Sequence, residues 1–218
     1  MKSVVIVGGT SQVAQEIAKI HALAHDKLIL VGRNETRLQQ IASDLIIRGA
    51  VECEIMVQDL VEFDAHTQML DSVYEWGQPD VVYFAHGVLP DQKVAENSFM
   101  EMKKSFDVNA MSVISILTEL ANRMEKDRRG QIVVISSVAG DRGRKSNYVY
   151  GASKGLVSIF CQGLRNRLFE SGVGLTTVKP GFIDTPMTAE FEKGALWASP
   201  DKVAQDIVKG ASKNRNVI

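Results

Sequence analysis

The sequence predicts an α/β fold in which one doubly wound parallel sheet carries helices on both faces. Short runs of β-branched residues alternate with longer amphipathic patterns along the chain, as βαβ units require. The first apolar run, residues 3–7, leads through two glycines into a helical pattern. The 218 residues contain no internal repeat, low-complexity segment or linker, so we expect a single domain spanning residues 1–218.

The first half of the chain contains four strands and three helices in strict alternation. The strands are predicted from apolar, β-branched runs at residues 3–7, 27–31, 51–57 and 80–84. The helices are predicted from apolar residues that recur every three or four positions within residues 13–23, 34–48 and 65–76. Asn34 is a good N-cap for the second helix, and Pro79 marks the entry to the fourth strand.

The second half continues this alternation and completes a Rossmann-like pattern. Strands are expected at residues 130–136 and 174–178, and helices at residues 98–126, with a break near Asp107, and 148–171. After an irregular stretch, Ser199 followed by Pro200 predicts the start of a last helix that ends near Gly210. Residues 216–218 have the pattern of a seventh strand cut short, so we expect the last strand to be truncated.

Charge and composition exclude several classes of protein. The chain has 25 Lys and Arg against 26 Asp and Glu and no long run of like charges, which argues against nucleic-acid binding. Near the N-terminus no apolar run is long enough for a signal peptide or a membrane span, so we expect a cytoplasmic protein. Cys53 and Cys161 lie far apart without metal-ligand spacing, which predicts neither a disulfide nor a metal site.

The turn between the first strand and the first helix is a candidate phosphate-binding loop. Glycines allow the backbone to approach a pyrophosphate, and the helix N-terminus presents unpaired N–H groups to it. Gln12 and Ala14 stand where further glycines would be expected, so a turn without a ligand stays open as the alternative. The residues of the turn are Gly8, Gly9, Thr10, Ser11, Gln12 and Val13.

Arg33 is a candidate for recognising the 2′-phosphate of NADP(H). It follows the second strand, where a carboxylate would accept hydrogen bonds from the ribose 2′-hydroxyl of NAD(H). No carboxylate is present there, and a guanidinium group suits a phosphate. We therefore expect NADP(H) to be preferred and NAD(H) to remain possible, with a solvated loop arginine as the alternative.

A hydroxyl, a phenol and an ammonium group are predicted to converge at the carboxyl edge of the sheet. Ser136 and Ser137 end the fifth strand, and Tyr150 and Lys154 stand four residues apart on one face of the next helix. Such a set suits proton transfer to a carbonyl oxygen. A nearby cation is expected to lower the phenol pKa from its ordinary value of about 10.

These motifs resemble the short-chain dehydrogenase/reductase family in identity, order and spacing, over essentially the whole chain. The resemblance implies hydride transfer between a nicotinamide cofactor and a small-molecule ketone or alcohol. The matching segments are Gly8-Gly9-Thr10-Ser11, Asp59-Leu60, Asn109, Ser137, Tyr150-Gly-Ala-Ser-Lys154 and Pro180-Gly-Phe-Ile-Asp-Thr185.

The resemblance also implies a role for each matching residue. Tyr150 would be the general acid toward the carbonyl, and Ser137 would orient its oxygen. Lys154 would bind the nicotinamide ribose and lower the pKa of Tyr150, while Asn109 would hold a water in the proton relay. Asp59, with Leu60 beside it, would contact the adenine. The other implied cofactor contacts are Gly8, Thr10, Ser11, Gln12, Val13, Arg33, Ala85, His86, Gly87, Pro180, Gly181, Ile183 and Thr185.

The match departs from the family pattern in two places. Gln12 adds a side chain near the expected position of the phosphates. After the fourth strand the family commonly has Asn-Asn-Ala-Gly, whereas this chain has Phe84-Ala-His-Gly87. Two interpretations of His86 stay open, a contact with the cofactor and a structural histidine.

The loops beside the predicted site bear on the substrate. Arg142, Arg144 and Lys145 suit an anionic substrate, such as one bearing a phosphate, although a solvated loop is an equal alternative. Residues 136–150 resemble the subgroup containing the keto-reductase component of the decaprenylphosphoryl-ribose 2-epimerase. That resemblance implies a keto-sugar on a polyprenyl phosphate, and with it peripheral membrane contact. Four apolar residues either form a lid over such a lipid or pack onto the core: Met187, Phe191, Leu196 and Trp197.

The sequence therefore predicts an NAD(P)H-dependent enzyme that reduces a ketone to an alcohol. An acyl-thioester ketone reductase and a non-catalytic NADP(H)-sensing protein are the alternatives, and the retained proton donor favours an enzyme. The family resemblance also implies a homodimer formed by the helices that contain Asn109 and Tyr150. Some of the apolar residues on these helices are expected to belong to the core, and the others are candidate contact residues: Val113, Ile116, Leu117, Leu156, Ile159 and Phe160.

Overall fold

The structure is a computed structural model that describes residues 1–218, and its centre is one six-stranded sheet. The strand order is β3-β2-β1-β4-β5-β6, and every pairing is parallel. The predicted doubly wound α/β fold is therefore confirmed. The strands are β1 (Ser3–Val7), β2 (Lys27–Gly32), β3 (Glu52–Val57), β4 (Val81–Phe84), β5 (Gln131–Ile135) and β6 (Gly174–Val178).

Eight helices connect and cover the strands. Helices α1, α2 and α8 pack on one face of the sheet, and α3, α6 and α7 pack on the other. The helices are α1 (Gln12–Leu23), α2 (Glu35–Ile47), α3 (His66–Trp76), α4 (Gln92–Asn97), α5 (Phe99–Phe106), α6 (Ser112–Asp127), α7 (Tyr148–Phe169) and α8 (Pro200–Ala211). None of them combines the length and apolarity needed to cross a lipid bilayer.

The central strands β1 and β4 are almost entirely apolar because both faces of the sheet are buried. In β1, Val5 and Val7 contribute to the core beneath α3, α6 and α7, whereas Val4 and Ile6 contribute to the core beneath α1, α2 and α8. This is the pattern expected where helices cover both sides of a parallel sheet. The strand ends that lead to the site are thus held by two hydrophobic cores.

The segment between β4 and β5 is more divided than predicted. The break near Asp107 is a π-helical turn, Asp107–Met111, that joins α5 to α6 without leaving the helical path. Helix α4 was not predicted, because its six residues are too few to display a helical period. Its start is stabilised by Asp91, whose carboxylate accepts hydrogen bonds from the N–H groups of Lys93 at 2.8 Å and Val94 at 3.2 Å.

The last residues lie beside β6, in the place predicted for a seventh strand. Val217 pairs with Thr177 in a single parallel bridge. The N–H of Thr177 donates to the carbonyl of Asn216 at 3.0 Å, and the N–H of Ile218 donates to the carbonyl of Thr177 at 3.1 Å. The chain therefore continues the sheet for one bridge beyond β6.

Three of the six candidate contact residues lie in the core, as expected for part of the set. Val113, Ile116 and Leu117 are buried between α6 and the sheet, where they cannot reach another chain. They are buried because α6 turns this apolar stripe toward its own strands. Leu156 and Ile159 on α7 are 39% and 70% exposed, respectively.

Candidate active site

A cleft of about 320 Å³ opens along the carboxyl ends of the strands. It lies over the place where the strand order reverses between β1 and β4, which is where doubly wound sheets bind ligands. Each strand contributes a lining residue just beyond its end: Gly8, Arg33, Gln58, Ala85, Ser136 and Pro180.

Gly8 begins the turn from β1 to α1 and requires the absence of a side chain. Its φ is +90°, in the left-handed region that favours glycine. A Cβ at this position would lie 2.5 Å from the backbone nitrogen of His86. The N–H groups of Gly8 and Gly9 both donate to the carbonyl of Val31 at 2.9 Å, which holds the turn against β2.

The N-terminus of α1 presents free backbone amides next to this turn. Ser11 is the N-cap, but its side chain makes no capping hydrogen bond. The N–H groups of Gln12, Val13 and Ala14 have no backbone acceptor. Unpaired amides at the positive end of a helix dipole form an anion-binding site. Gln12 and Val13 directly follow Ser11, which lines the cleft, although they are not part of the lining themselves.

Arg33 and Asp59 face each other at one end of the cleft. The closest approach, between Nη1 of Arg33 and Oδ2 of Asp59, is 3.8 Å, and the Arg33 side chain is 68% exposed. The other carboxylate oxygen of Asp59 accepts a hydrogen bond from the N–H of Val61 at 3.2 Å. Such a long, exposed ion pair contributes little stability, so the guanidinium group can bind another anion at small cost.

His86 lies between the floor of the cleft and α6. Its Nε2 is 2.9 Å from Oγ of Ser112, which in turn donates to the carbonyl of Val108 at 2.8 Å. The other ring nitrogen, Nδ1, is buried and has no side-chain partner. Burial, aided by the charge of Lys154, lowers the pKa of His86 to about 3. A neutral ring bonded to α6 supports the structural interpretation of this histidine.

Asn109 stands behind the cleft rather than in its lining. Its Oδ1 accepts from the N–H of Val88 at 2.7 Å, and its Nδ2 donates to the carbonyl of Val88 at 2.9 Å and to Oγ of Ser105 at 3.1 Å. A Cβ on Gly87 would lie 2.9 Å from this Oδ1. The side chain of Asn109 therefore fixes the segment after β4. That Asn109 also holds a water in a proton relay remains a prediction.

Ser137, Tyr150 and Lys154 are brought together in the cleft as predicted. Ser137 follows β5, and its Oγ accepts a hydrogen bond from the N–H of Ala139 at 3.1 Å. Tyr150 and Lys154 lie in the first two turns of α7, with Nζ of Lys154 located 5.8 Å from the centre of the Tyr150 ring. The ammonium group donates to the carbonyl of Ile135 at 3.0 Å.

Burial controls the protonation of this group of residues. It raises the pKa of Tyr150, and a hydrogen bond with Ser137 opposes that rise. Burial also lowers the pKa of Lys154 to about 8. The pKa of the phenol is raised overall because loss of solvation outweighs the hydrogen bond with Ser137. Tyr150 is consequently protonated at neutral pH. That Lys154 lowers this pKa stays a prediction.

Residues 182–198 form a loop beside the cleft, and contacts between the two ends of this loop hold them together. The rings of Phe182 and Trp197 stack at 5.2 Å, and Ile183 pairs with Ala198 in a parallel bridge. Met187 lines the cleft. Phe191 and Leu196 are 48% and 85% exposed, so the interpretation that these two side chains pack onto the core is wrong.

Nearly all of the predicted site residues line this one cleft. The exceptions are Gln12, Val13 and Asn109. Gly32 and Gln58 were missed although each adjoins a predicted residue, and Val88 follows Gly87. Val61, Val108 and Thr188 carried no signal of their own. The predicted residues in the lining are Gly8, Thr10, Ser11, Arg33, Asp59, Leu60, Ala85, His86, Gly87, Ser137, Tyr150, Lys154, Pro180, Gly181, Ile183 and Thr185.

Solved structures share this architecture. A short-chain dehydrogenase from Sphingobium yanoikuyae in complex with NADPH superposes with a TM-score of 0.90 at 22% identity, covering 100% of this chain and 87% of that one. An actinorhodin polyketide ketoreductase with NADPH gives a TM-score of 0.87 at 20% identity, covering 99% of this chain and 94% of that one. At these identities the likeness shows a common fold.

Sequence relatives define the family more closely. An uncharacterized oxidoreductase of Mycobacterium tuberculosis is 34% identical over 216 residues, which cover 99% of this chain and 86% of that protein. An uncharacterized oxidoreductase of Staphylococcus epidermidis is 31% identical over 195 residues, covering 88% of this chain and 83% of that protein. Residues 2–195 match the family described as short chain dehydrogenase. The chain is therefore an oxidoreductase that belongs to the short-chain dehydrogenase family.

Proposed function

We propose that the protein reduces a ketone to an alcohol with NADPH. The observation that carries this proposal is the convergence of the Ser137 hydroxyl, the protonated Tyr150 phenol and the Lys154 ammonium group on one cleft. A binding module would require an anion site and a shaped cleft, but it would have no use for a half-buried proton donor beside them.

The residues of the cleft fit a nicotinamide dinucleotide phosphate. The free amides of Gln12, Val13 and Ala14 suit a pyrophosphate, and the left-handed glycine before them leaves no side chain in the way. Arg33 suits the 2′-phosphate and Asp59 the adenine amino group. Gly87, Gly181 and Ile183 would border the nicotinamide half, where Lys154 would hold the ribose hydroxyls.

Each catalytic residue has a separate task in the proposed reaction. When bound, the nicotinamide supplies a hydride to the carbonyl carbon, and the two electrons of the C=O π bond move to the oxygen. Tyr150 donates its phenolic proton to that oxygen, which completes the alcohol. Ser137 donates a hydrogen bond that orients the oxygen, and the charge of Lys154 stabilises the phenolate that remains.

Arg142, Arg144 and Lys145 support an anionic keto-sugar as the substrate. All three are exposed beyond the end of β5, and none forms an ion pair, since neighbouring Asp141 is bound to Lys179 at 2.6 Å. They stand outside the cleft lining, so they would hold a phosphate remote from the reacting carbonyl. The exposed Phe191 and Leu196 would suit a lipid attached to that phosphate, as in the epimerase subgroup resembled by residues 136–150.

A ketone panel tests the proposed function. We would follow the oxidation of NADPH with ribulose 5-phosphate, ribulose and acetoacetyl-CoA. Turnover of the phosphorylated ketose, with a higher KM for ribulose, is the expected result. A double substitution of Arg142 and Arg144 by Ala should raise KM for ribulose 5-phosphate and leave that for ribulose unchanged. Turnover of acetoacetyl-CoA alone would instead identify an acyl-thioester reductase. Tight NADPH binding without turnover of any ketone would favour a sensor.

We also propose that the protein forms a homodimer through α7. Leu156 and Ile159 place two adjacent apolar side chains on the outer surface of this helix, and Phe99 of α5 is 74% exposed. Exposed apolar surface of this kind is typical of subunit contacts.

A further inference from the structure

The first turn of α7 is the part of the site that most needs a fixed position, because it carries Tyr150. Its N-cap residue, Asn147, makes no side-chain capping hydrogen bond. The residues before it, Asp141 to Ser146, are exposed, so the preceding loop gives the helix start little support. An α-helix leaves its first N–H groups without intrahelical acceptors, and an uncapped first turn frays.

Gln92 supplies the missing acceptor from a distant part of the chain. Its Oε1 accepts a hydrogen bond from the N–H of Val149 at 3.2 Å, across 57 positions of sequence. Val149 is 1% exposed and is the residue immediately before Tyr150. Gln92 is the first residue of α4, and Asp91 caps that helix in turn. The first turn of α7 is thus fixed through α4.

The Gln92 amide contributes to this contact through its oxygen and not through its nitrogen. Its Nε2 is buried and has no hydrogen-bond partner. An unpaired buried donor costs stability, so the hydrogen bond accepted by Oε1 is the stabilising contact of this amide. Gln92 is outside the cleft lining, so we assign it a role through α7 and not through direct contact with a ligand.

We propose that Gln92 is a positioning residue, whose amide oxygen caps α7 and thereby fixes the phenol of Tyr150. This inference rests on the proposed ketone reduction. A small displacement of a proton donor sharply reduces turnover, whereas the distant cofactor contacts at Arg33 and the turn after β1 are unaffected. Loss of the cap should therefore lower kcat and leave the dissociation constant of NADPH unchanged.

Substitutions at Gln92 separate the acceptor from the bulk of the side chain. Gln92→Met keeps the length but removes the oxygen, and it should lower kcat for ribulose 5-phosphate about tenfold without changing KM or NADPH binding. Gln92→Glu keeps an oxygen and removes the unpaired N–H₂, so it should restore most of the turnover. Lys93→Met, on the exposed side of the same helix, is the matched control and should behave as the wild type. If Gln92→Met does not fold, Gln92→Asn withdraws the oxygen by one methylene and should give the same loss.

Hydrogen–deuterium exchange tests the cap without requiring turnover. Amides in residues 147–152 should exchange faster in Gln92→Met than in the wild type, Gln92→Glu or Lys93→Met. Unchanged exchange in Gln92→Met, or equal losses of turnover in the Met and Glu variants, would overturn the inference. If no ketone is reduced by the wild type, the proposed function fails, while the exchange pattern still decides whether Gln92 caps α7.

Discussion

The backbone of Gly140 lies directly against that of Gly155. A Cβ on Gly140 would come 2.6 Å from the nitrogen of Gly155, and a Cβ on Gly155 would come 2.9 Å from the carbonyl oxygen of Gly140. The turn that follows Ser137 is therefore packed onto α7 without an intervening side chain. This contact sets the separation between the end of β5 and the helix that carries Tyr150.

Substitution of Gly155 tests this contact. Gly155→Ala forces the backbone of α7 away from that of Gly140, and it should lower the free energy of unfolding by about 1–3 kcal/mol. Gly163→Ala is the matched control on the same helix, because nothing lies within 4 Å of the added methyl group. That control should stabilise the protein by about 0.5–1 kcal/mol, since alanine is the better helix former. Urea denaturation measures both, and equal effects would show that the contact is unimportant.

Tyr150→Phe removes the proposed proton donor and little else. We expect kcat for ketone reduction to fall about 10²–10⁴-fold, the usual contribution of general acid catalysis. The dissociation constant of NADPH should stay within a factor of about two, because the anion contacts are distant. Stopped-flow turnover and calorimetric titration give the two quantities. Near-normal kcat would contradict the role of Tyr150.

Arg33→Ala tests the preference for the phosphorylated cofactor. Loss of a charge-assisted contact with the 2′-phosphate should weaken NADPH binding about ten- to hundredfold. NADH lacks this phosphate, so its affinity should change little. Arg48→Ala is a suitable control, because Arg48 pairs with Asp44 at the other end of α2. A loss of equal size for both cofactors would rule out the phosphate contact.

Lys154→Met is expected to stabilise the protein while it abolishes turnover. Burial lowers the pKa of Lys154 from 10.5 to about 8, so keeping this group charged at neutral pH destabilises the folded state. The variant should gain about 1–3 kcal/mol in unfolding free energy at pH 7, after allowance for the lost hydrogen bond to Ile135.

The same variant has a defined pH dependence. Between about pH 8 and 10.5 the unfolded wild type binds more protons at Lys154 than the folded wild type does. The wild type therefore gains stability relative to the variant as the pH rises through this window, and the advantage of Met should shrink. Thermal denaturation at pH 7 and pH 10 measures the difference. An advantage that grows with pH would contradict the assigned pKa.

Ile159→Asp should separate the proposed dimer into monomers. Ile159 is 70% exposed on α7, and a carboxylate there would be desolvated by a second subunit. Light scattering should give twice the chain mass of 24.0 kDa for the wild type and the chain mass for the variant. Leu23→Asp, at a residue 67% exposed on α1, is the control and should remain dimeric. A monomeric wild type at micromolar concentration would refute the proposal.

The succession of strands and helices along the chain, and most of the residues of the cleft, could be predicted from the sequence. Apolar strands, helical periodicity and turn residues are local signals, and parallel strands bring their carboxyl ends to one edge of the sheet. For this reason the sequence predicts that Gly8, Ser137, Tyr150 and Lys154 lie together. Each of them lines the cleft.

How these residues are held and charged depends on contacts and burial that arise only in the folded chain. Burial raises the pKa of Tyr150, and no spacing of residues in the sequence reveals burial. The sequence also does not show which of the apolar residues on α6 and α7 belong to the core, because a helical stripe does not indicate which surface it faces; Val113 and Ile116 prove to be buried against the sheet. Gln92 reaches Val149 across 57 positions, and Gly140 meets Gly155 only when α7 packs beside β5. Contacts between distant segments and their solvation are properties of the packed chain, so they carry no local signature in the sequence.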